Sequence, residues 1–255
     1  MKRIFLFFAI CFCVSSWSGI LEAQTLRTIL FVNEQEPERE KDRREDMKQM
    51  DAFWQEIAGA IGYDYQCSRH SGHDFTAEGI RNSISALNVG ANDIVVFYYS
   101  GHGYNDETNV WPTLTLNDAG IQEIEILKRL KKVNAKAKLT LCIADCCNKP
   151  FRSRNTSSVA YSYETDESAV KKLFTGFKGK KTIIISASKQ GQYSWSDQEQ
   201  GAIFGMSFRQ AVRNVAYEEA TWDMVMEKAK AQTMRRAPEL QIPQYNVTQS
   251  SDPFE

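Results

Sequence analysis

Strands alternating with helices along the chain predict an α/β sandwich. Its three layers place a mostly parallel sheet of about six strands between helices. Two observations carry most of this. The stretches Asp93–Gly103, Lys138–Cys147 and Lys181–Ser188 each contain a short, nearly unbroken apolar run. Such runs read as strands buried on both faces, as in a parallel sheet. Between them lie segments whose apolar residues recur at helical spacing.

The elements follow in order. Leu26–Val32 is an apolar, β-rich run. Asn33–Arg44 is highly charged, contains Pro37, and is expected to be a loop. Met47, Met50, Phe53, Trp54, Ile57 and Ile61 mark one face of a helix that Gly62 stops. Tyr63–Cys67 is a short strand, and Thr76 caps a helix with Ile80, Ile84 and Leu87 on its apolar side. The Asp93 strand, a loop through Trp111-Pro112, a helix around Ile121–Lys132 and the Lys138 strand come next. Asn148–Asp166 lacks periodicity and is rich in Ser, Thr, Arg and Tyr, so a long surface loop is expected. After the strand at Lys181–Ser188, helices are expected at Phe204–Tyr217 and Thr221–Met234, then an edge strand at Gln241–Val247, where Pro243 is tolerable.

Composition narrows the function. The chain has 255 residues, 42% hydrophobic and 25% charged, with net charge −1. That length suffices for one large core, and the charge balance gives no reason to expect nucleic acid or an anionic membrane as partner. Lys2 and Arg3, the apolar run Ile4–Val14 and small or polar residues up to Ala23 have the layout of a secretory signal. Residues 1–23 are therefore expected to be removed, leaving an exported chain, periplasmic or secreted, from Gln24 as a single domain. The apolar run is too short to span a bilayer, so the mature chain is expected to have no membrane span. The remaining cysteines are Cys67, Cys142, Cys146 and Cys147. Four are too few for a disulfide scaffold of this size, and Cys67 and Cys142 read as buried structural thiols.

The chemistry sits at two strand ends. One apolar run stops at Ser-Gly-His102-Gly, the other at Ala-Asp-Cys-Cys147. In parallel sheets, ligands bind beyond the carboxyl ends of the strands. A thiol there attacks as thiolate, and a nearby imidazole takes its proton and returns it to the leaving amine. Gly101 and Gly103 allow a sharp turn beside His102. The backbone N–H groups of Gly103 and Cys147 are the oxyanion-hole candidates.

Tyr-Tyr-Ser-Gly-His-Gly103 followed by Ala-Asp-Cys-Cys147 resembles the caspase-like cysteine peptidases, clan CD and family C14, and in particular their metacaspase-type members. Gly191-Gln-Tyr-Ser-Trp195 is similar to the segment that walls their substrate cleft, and Gln241-Ile-Pro243 to the entry of their last strand. The resemblance implies a caspase-like fold and a cysteine endopeptidase with His102 as catalytic histidine and Cys147 as nucleophile. Cys146 takes the non-nucleophilic position, and a redox role for the adjacent pair is disfavoured because a vicinal disulfide strains the backbone.

The resemblance also implies specificity. Asp145 would line the pocket and select Arg or Lys before the scissile bond of protein or peptide substrates. Asp46 is expected as a second pocket acid, and Tyr193, Trp195 and Ser196 as substrate-binding residues. Arg44 lies roughly where caspases keep an arginine for substrate aspartate, but it reads as a solvated charge within Lys41–Asp46. Ser196 stands where their second arginine would be. Self-cleavage is expected in the loop 148–181, at Lys149, Arg152, Arg154, Lys171 or Lys172. No cofactor is expected. Calcium is the one candidate, through Asp106, Glu107 and Asp118, although no concentrated acidic loop is present. His70, His73 and Asp74 read as exposed polar residues rather than metal ligands. A monomer is expected. The alternative is a catalytically idle domain that binds a peptide or partner in the same cleft.

Overall fold

A computed structural model describes residues 23–34, 40–149, 165–197, 200–237 and 240–250. The expected signal sequence and the stretch 150–164 lie outside the described residues. The main sheet contains β1 (Thr25–Val32), β2 (Asp64–His70), β3 (Ile94–Ser100), β7 (Leu139–Asp145), β8 (Lys180–Ser186) and β11 (Gln244–Ser250). Between β3 and β7 come three short strands, β4 (Gly103–Tyr104), β5 (Thr113–Thr115) and β6 (Gly120–Gln122). A two-stranded hairpin, β9 (Ser196–Asp197) and β10 (Gly201–Ala202), follows β8. The helices are α1 (Glu40–Ile61), α2 (Ala77–Ser85), α3 (Glu123–Val133), α4 (Glu167–Thr175), α5 (Ile203–Arg213) and α6 (Trp222–Arg236).

The sheet order is β11-β8-β7-β3-β1-β2. All neighbours run parallel except β11, which pairs antiparallel with β8 at the edge. The expected α/β sandwich with a mostly parallel six-stranded sheet is the observed architecture.

Each central strand feeds two cores because side chains alternate across a sheet. Leu26 and Leu30 of β1, Val96 and Tyr98 of β3, and Leu141 and Ile143 of β7 face one layer, with α1, α4, α5 and α6. Ile29 and Phe31, Val95 and Tyr99, and Cys142 and Ala144 face the other, with α2, α3 and the small sheet. Both layers are apolar, which is why β3 and β7 contain nothing exposed.

Local chemistry sets the helix ends. The Thr76 Oγ1 accepts the Gly79 N–H at 2.9 Å and starts α2, as expected. Gly62, at φ 76, takes the left-handed conformation that ends α1.

Two expectations need correction. Residues 40–44 belong to α1 and not to a loop, so Arg43 and Arg44 lie on its first turns. The loop expected over 148–181 is interrupted by α4, and β8 begins at Lys180. Asp166 caps α4 by accepting the Ser168 and Ala169 N–H groups, and Ala169, Val170, Leu173 and Phe174 bury its apolar face. That short face follows directly on a polar, aperiodic stretch, which masks it in the sequence. Among the described residues, no helix is long and apolar enough to cross a membrane.

Candidate active site

Strands β3 and β7 are adjacent and parallel, with Ser100 opposite Asp145. His102 and Cys147 each lie two residues beyond that paired position, so the two chains leave the same sheet end side by side. The Gly101 N–H donates to the Asp145 carbonyl at 3.4 Å across the gap. Gly103 then packs directly on the cysteine segment. A methyl group there would run into Cys146 Sγ and come within 2.7 Å of the Cys147 carbonyl oxygen. Only glycine lets the histidine loop approach this closely.

The alternation of β7 separates the two adjacent cysteines. Cys146 continues the series Cys142, Ala144 into the α2–α3 core and is 1% exposed. Burial pushes its thiol well above the ordinary range, and the carboxyl of Glu123 adds to this. Cys147 is half-exposed. Its Sγ accepts the Ser194 N–H at 3.3 Å and lies 3.6 Å from the Ser194 carbonyl oxygen. The sulfur thus sits against the segment that the sequence singled out as a cleft wall.

Asp145 points to the opposite layer from Cys146. Its carboxylate accepts the Gly205 N–H at 2.8 Å, the Ser194 hydroxyl at 3.2 Å and the Tyr98 hydroxyl at 3.4 Å. Burial, helped by the neighbouring Asp46 charge, raises its pKa to about 7. Asp46 is wholly buried on α1 and accepts the Ser100 hydroxyl at 2.7 Å and the Ala202 N–H at 2.6 Å. Arg43 lies 3.6 Å from it and also donates to Ser100 at 2.7 Å. Burial still raises the pKa of Asp46, outweighing Arg43.

The structure therefore brings Asp46 and Asp145 together beneath Cys147, with Arg43 and the buried Arg209 as counter-charges. Arg44 is exposed. Arg43, its neighbour, is the arginine that enters the site.

The remaining predicted residues divide by exposure. Tyr193 is partly exposed, with its ring 6.2 Å from that of Trp195 and the Lys149 ammonium 4.7 Å from its centroid. Trp195 and Ser196 are buried behind it, Ser196 pairing with Ala202 in the hairpin. Gln241 is fully buried and holds this wall from behind. Its side chain accepts the Trp195 N–H at 3.1 Å and donates to the Ala187 carbonyl and the Ser194 hydroxyl.

Two of the three acids weighed for calcium accept hydrogen bonds from neighbouring segments. Asp118 accepts the Ala77 and Glu78 N–H groups at the start of α2, whereas Asp106 accepts from Thr108 and Gln122. His70 stacks on Phe31 with ring centroids 4.4 Å apart. Among the described residues, no three His, Cys, Asp or Glu side chains gather as a metal site.

Sequence reasoning missed Arg43, Ser194, Arg209, Asn105 and Asn148. Arg43 carried one available signal, its three-residue spacing from Asp46 on a helix.

The sequence matches the caspase domain family of C14 peptidases over residues 27–255. No curated protein matches it. The fold is similar to that of protein GSU0716 from Geobacter sulfurreducens, with TM-score 0.52, 17% identity, and coverage of 90% of this chain and 95% of that one. It is also similar to caspase-1 from Spodoptera frugiperda, with TM-score 0.56, 11% identity, and 88% of each chain covered.

Proposed function

Because the chain belongs to the caspase domain family, we propose that it is a cysteine endopeptidase in which Cys147 attacks and His102 moves the proton. The observation that carries this reading is the in-register pairing of Ser100 with Asp145, after which the segments bearing His102 and Cys147 leave the same sheet end. The Cys147 thiolate adds to the scissile carbonyl, and the oxygen takes up the negative charge facing the Gly103 and Cys147 N–H groups. His102 gives a proton to the leaving amine as the C–N bond breaks. It then draws a proton from water, which hydrolyses the thioester and frees the cysteine.

Asp145 favours a basic residue before the scissile bond, since a desolvated carboxylate prefers a cationic partner. Arg43 and Arg209 offset part of the pocket's negative charge, so the preference rests on Asp145, the acid bonded to the Ser194 wall. Export after residue 23, self-processing within 149–154 and a monomeric state belong to the same reading.

Fluorogenic peptides ending in Arg, Lys or Asp test it, with C147A and C146A run alongside and calcium present or absent. Cleavage after Arg or Lys that is lost in C147A and kept in C146A supports the assignment. Cleavage after Asp retains the enzyme and moves specificity to Arg43. Absence of cleavage in every arm, together with no labelling of Cys147 by a peptide ketone, rejects the peptidase and favours an idle binding cleft.

A further inference from the structure

Asn148, the residue after the proposed nucleophile, is fully buried although its side chain is polar. Every hydrogen-bonding group it has is used. Its backbone N–H donates to the Gln192 carbonyl at 3.0 Å, and its carbonyl accepts the Gly191 N–H at 2.7 Å. Its side-chain Nδ2 donates to the carbonyls of Val110 at 2.9 Å and Ser188 at 3.2 Å. Its Oδ1 accepts from Asn105 Nδ2 at 2.7 Å. The partners fix which end of the amide is which, because Nδ2 faces two carbonyl oxygens and Oδ1 faces an NH2 group.

Asn105 lies three residues after His102 and is 5% exposed. Its Oδ1 accepts the Glu107 N–H at 2.7 Å and Gln190 Nε2 at 3.0 Å, while Nδ2 also reaches the Asn109 carbonyl at 3.1 Å. Glu107 has φ 64, a left-handed conformation that costs a non-glycine residue on the order of 1 kcal/mol. The hydrogen bond to Asn105 holds it there.

We propose that the Asn148–Asn105 amide pair is a latch that positions the Cys147 loop against the His102 loop and the 188–192 segment. It is a positioning device and touches no substrate. Three independent segments meet at one buried side chain beside the reacting cysteine. Such a polar network is rigid when fully satisfied and costly when one member is removed. The proposal rests on the peptidase reading for its effect on turnover, but not for its effect on loop order.

The test compares wild type with N148D, Q190A and H102A as full chains. N148D keeps the side-chain shape but sets a carboxylate oxygen against the Val110 and Ser188 carbonyls. Q190A removes one outer bond from an exposed position and spares the fold. Three readouts are taken, namely kcat and KM on the preferred peptide, the pH profile of iodoacetamide alkylation at Cys147, and hydrogen–deuterium exchange of residues 103–112. In N148D we expect kcat to fall at least tenfold with KM within threefold. Its alkylation profile should move towards that of H102A, and protection of 103–112 should be lost. Q190A should show the same changes, smaller. Folded N148D with wild-type kcat, profile and exchange overturns the latch. If N148D does not fold, wild-type behaviour of Q190A in all three does so. If wild type and H102A alkylate with the same profile, the dyad reading fails instead, and unchanged exchange in N148D then overturns the latch separately.

Discussion

Under the proposed peptidase reading, titration of Asp145 should set how strongly a cationic residue is preferred. Burial and the nearby Asp46 charge bring the pKa of Asp145 to about 7. If only the ionised form recognises Arg, recognition weakens tenfold for each pH unit below that value. About 90% of Asp145 is ionised at pH 8 and about 1% at pH 5, so preference should change about 100-fold, or roughly 3 kcal/mol. A cation 4 Å from a carboxylate at an effective dielectric of 20 is worth about 4 kcal/mol, which is large enough to supply this. The assay is the ratio of kcat/KM for an Arg peptide to that for its citrulline counterpart, measured from pH 5 to pH 8. Taking the ratio on one protein cancels titration of the proposed dyad, because both substrates would use the same His102 and Cys147. The ratio should rise with pH in wild type and stay flat and near one in D145N. A wild-type ratio constant within about twofold across this range would refute ionised Asp145 as the recognition group.

Three further outcomes follow from the packing. Gly103→Ala should cost about 1–3 kcal/mol of stability and at least tenfold in kcat. Adding C146A should restore part of it, because the Cys146 sulfur is the nearest of the three obstacles, and no recovery would refute the contact. Glu123 is wholly buried, neither of its oxygens makes a well-formed hydrogen bond, and burial raises its pKa well above the ordinary range. A raised carboxyl pKa gives stability that is complete below the unfolded value and is lost as pH rises towards the folded one, by about 1.4 kcal/mol per pH unit. Thermal unfolding of Glu123→Gln should therefore gain on wild type by on the order of 5–10 °C between pH 5 and pH 7, whereas a constant difference contradicts the burial argument. Mass spectrometry of purified protein should find cuts after Lys149, Arg152 or Arg154 and none after Lys171 or Lys172, which lie within α4. The same fragments from C147A would exclude self-cleavage.

The parts of the fold that the sequence made legible are those with strong periodicity. The runs in β3 and β7 announce strands buried on both faces, and Met50, Phe53, Trp54 and Ile57 announce a helix face. The strand-end motifs pointed to His102 and Cys147, and the two residues do follow the ends of neighbouring parallel strands. The start of α1 was not legible, since charged residues mark a solvated loop and the exposed turn of a helix alike. Arg43 was overlooked for the same reason, as burial of a charge depends on partners distant in sequence, here Ser100. Asn148 and Asn105 lie 43 residues apart and meet only through the β3–β7 pairing. Nothing in a local window distinguishes a buried asparagine from the many that sit in loops.

The two-residue period of β7 has one more consequence. Cys146 and Cys147 are neighbours in the chain, yet they emerge on opposite sides of the strand end, one in the sealed interior and the other in the cleft. Joining their sulfurs would require the strand end to rotate and would break the contact of Gly103 with this segment. The sheet thus acts as an insulator between two thiols that a linear formula would read as a redox couple. An oxidant that reaches the cleft therefore meets the thiol of Cys147 first, with that of Cys146 sealed in the core behind it.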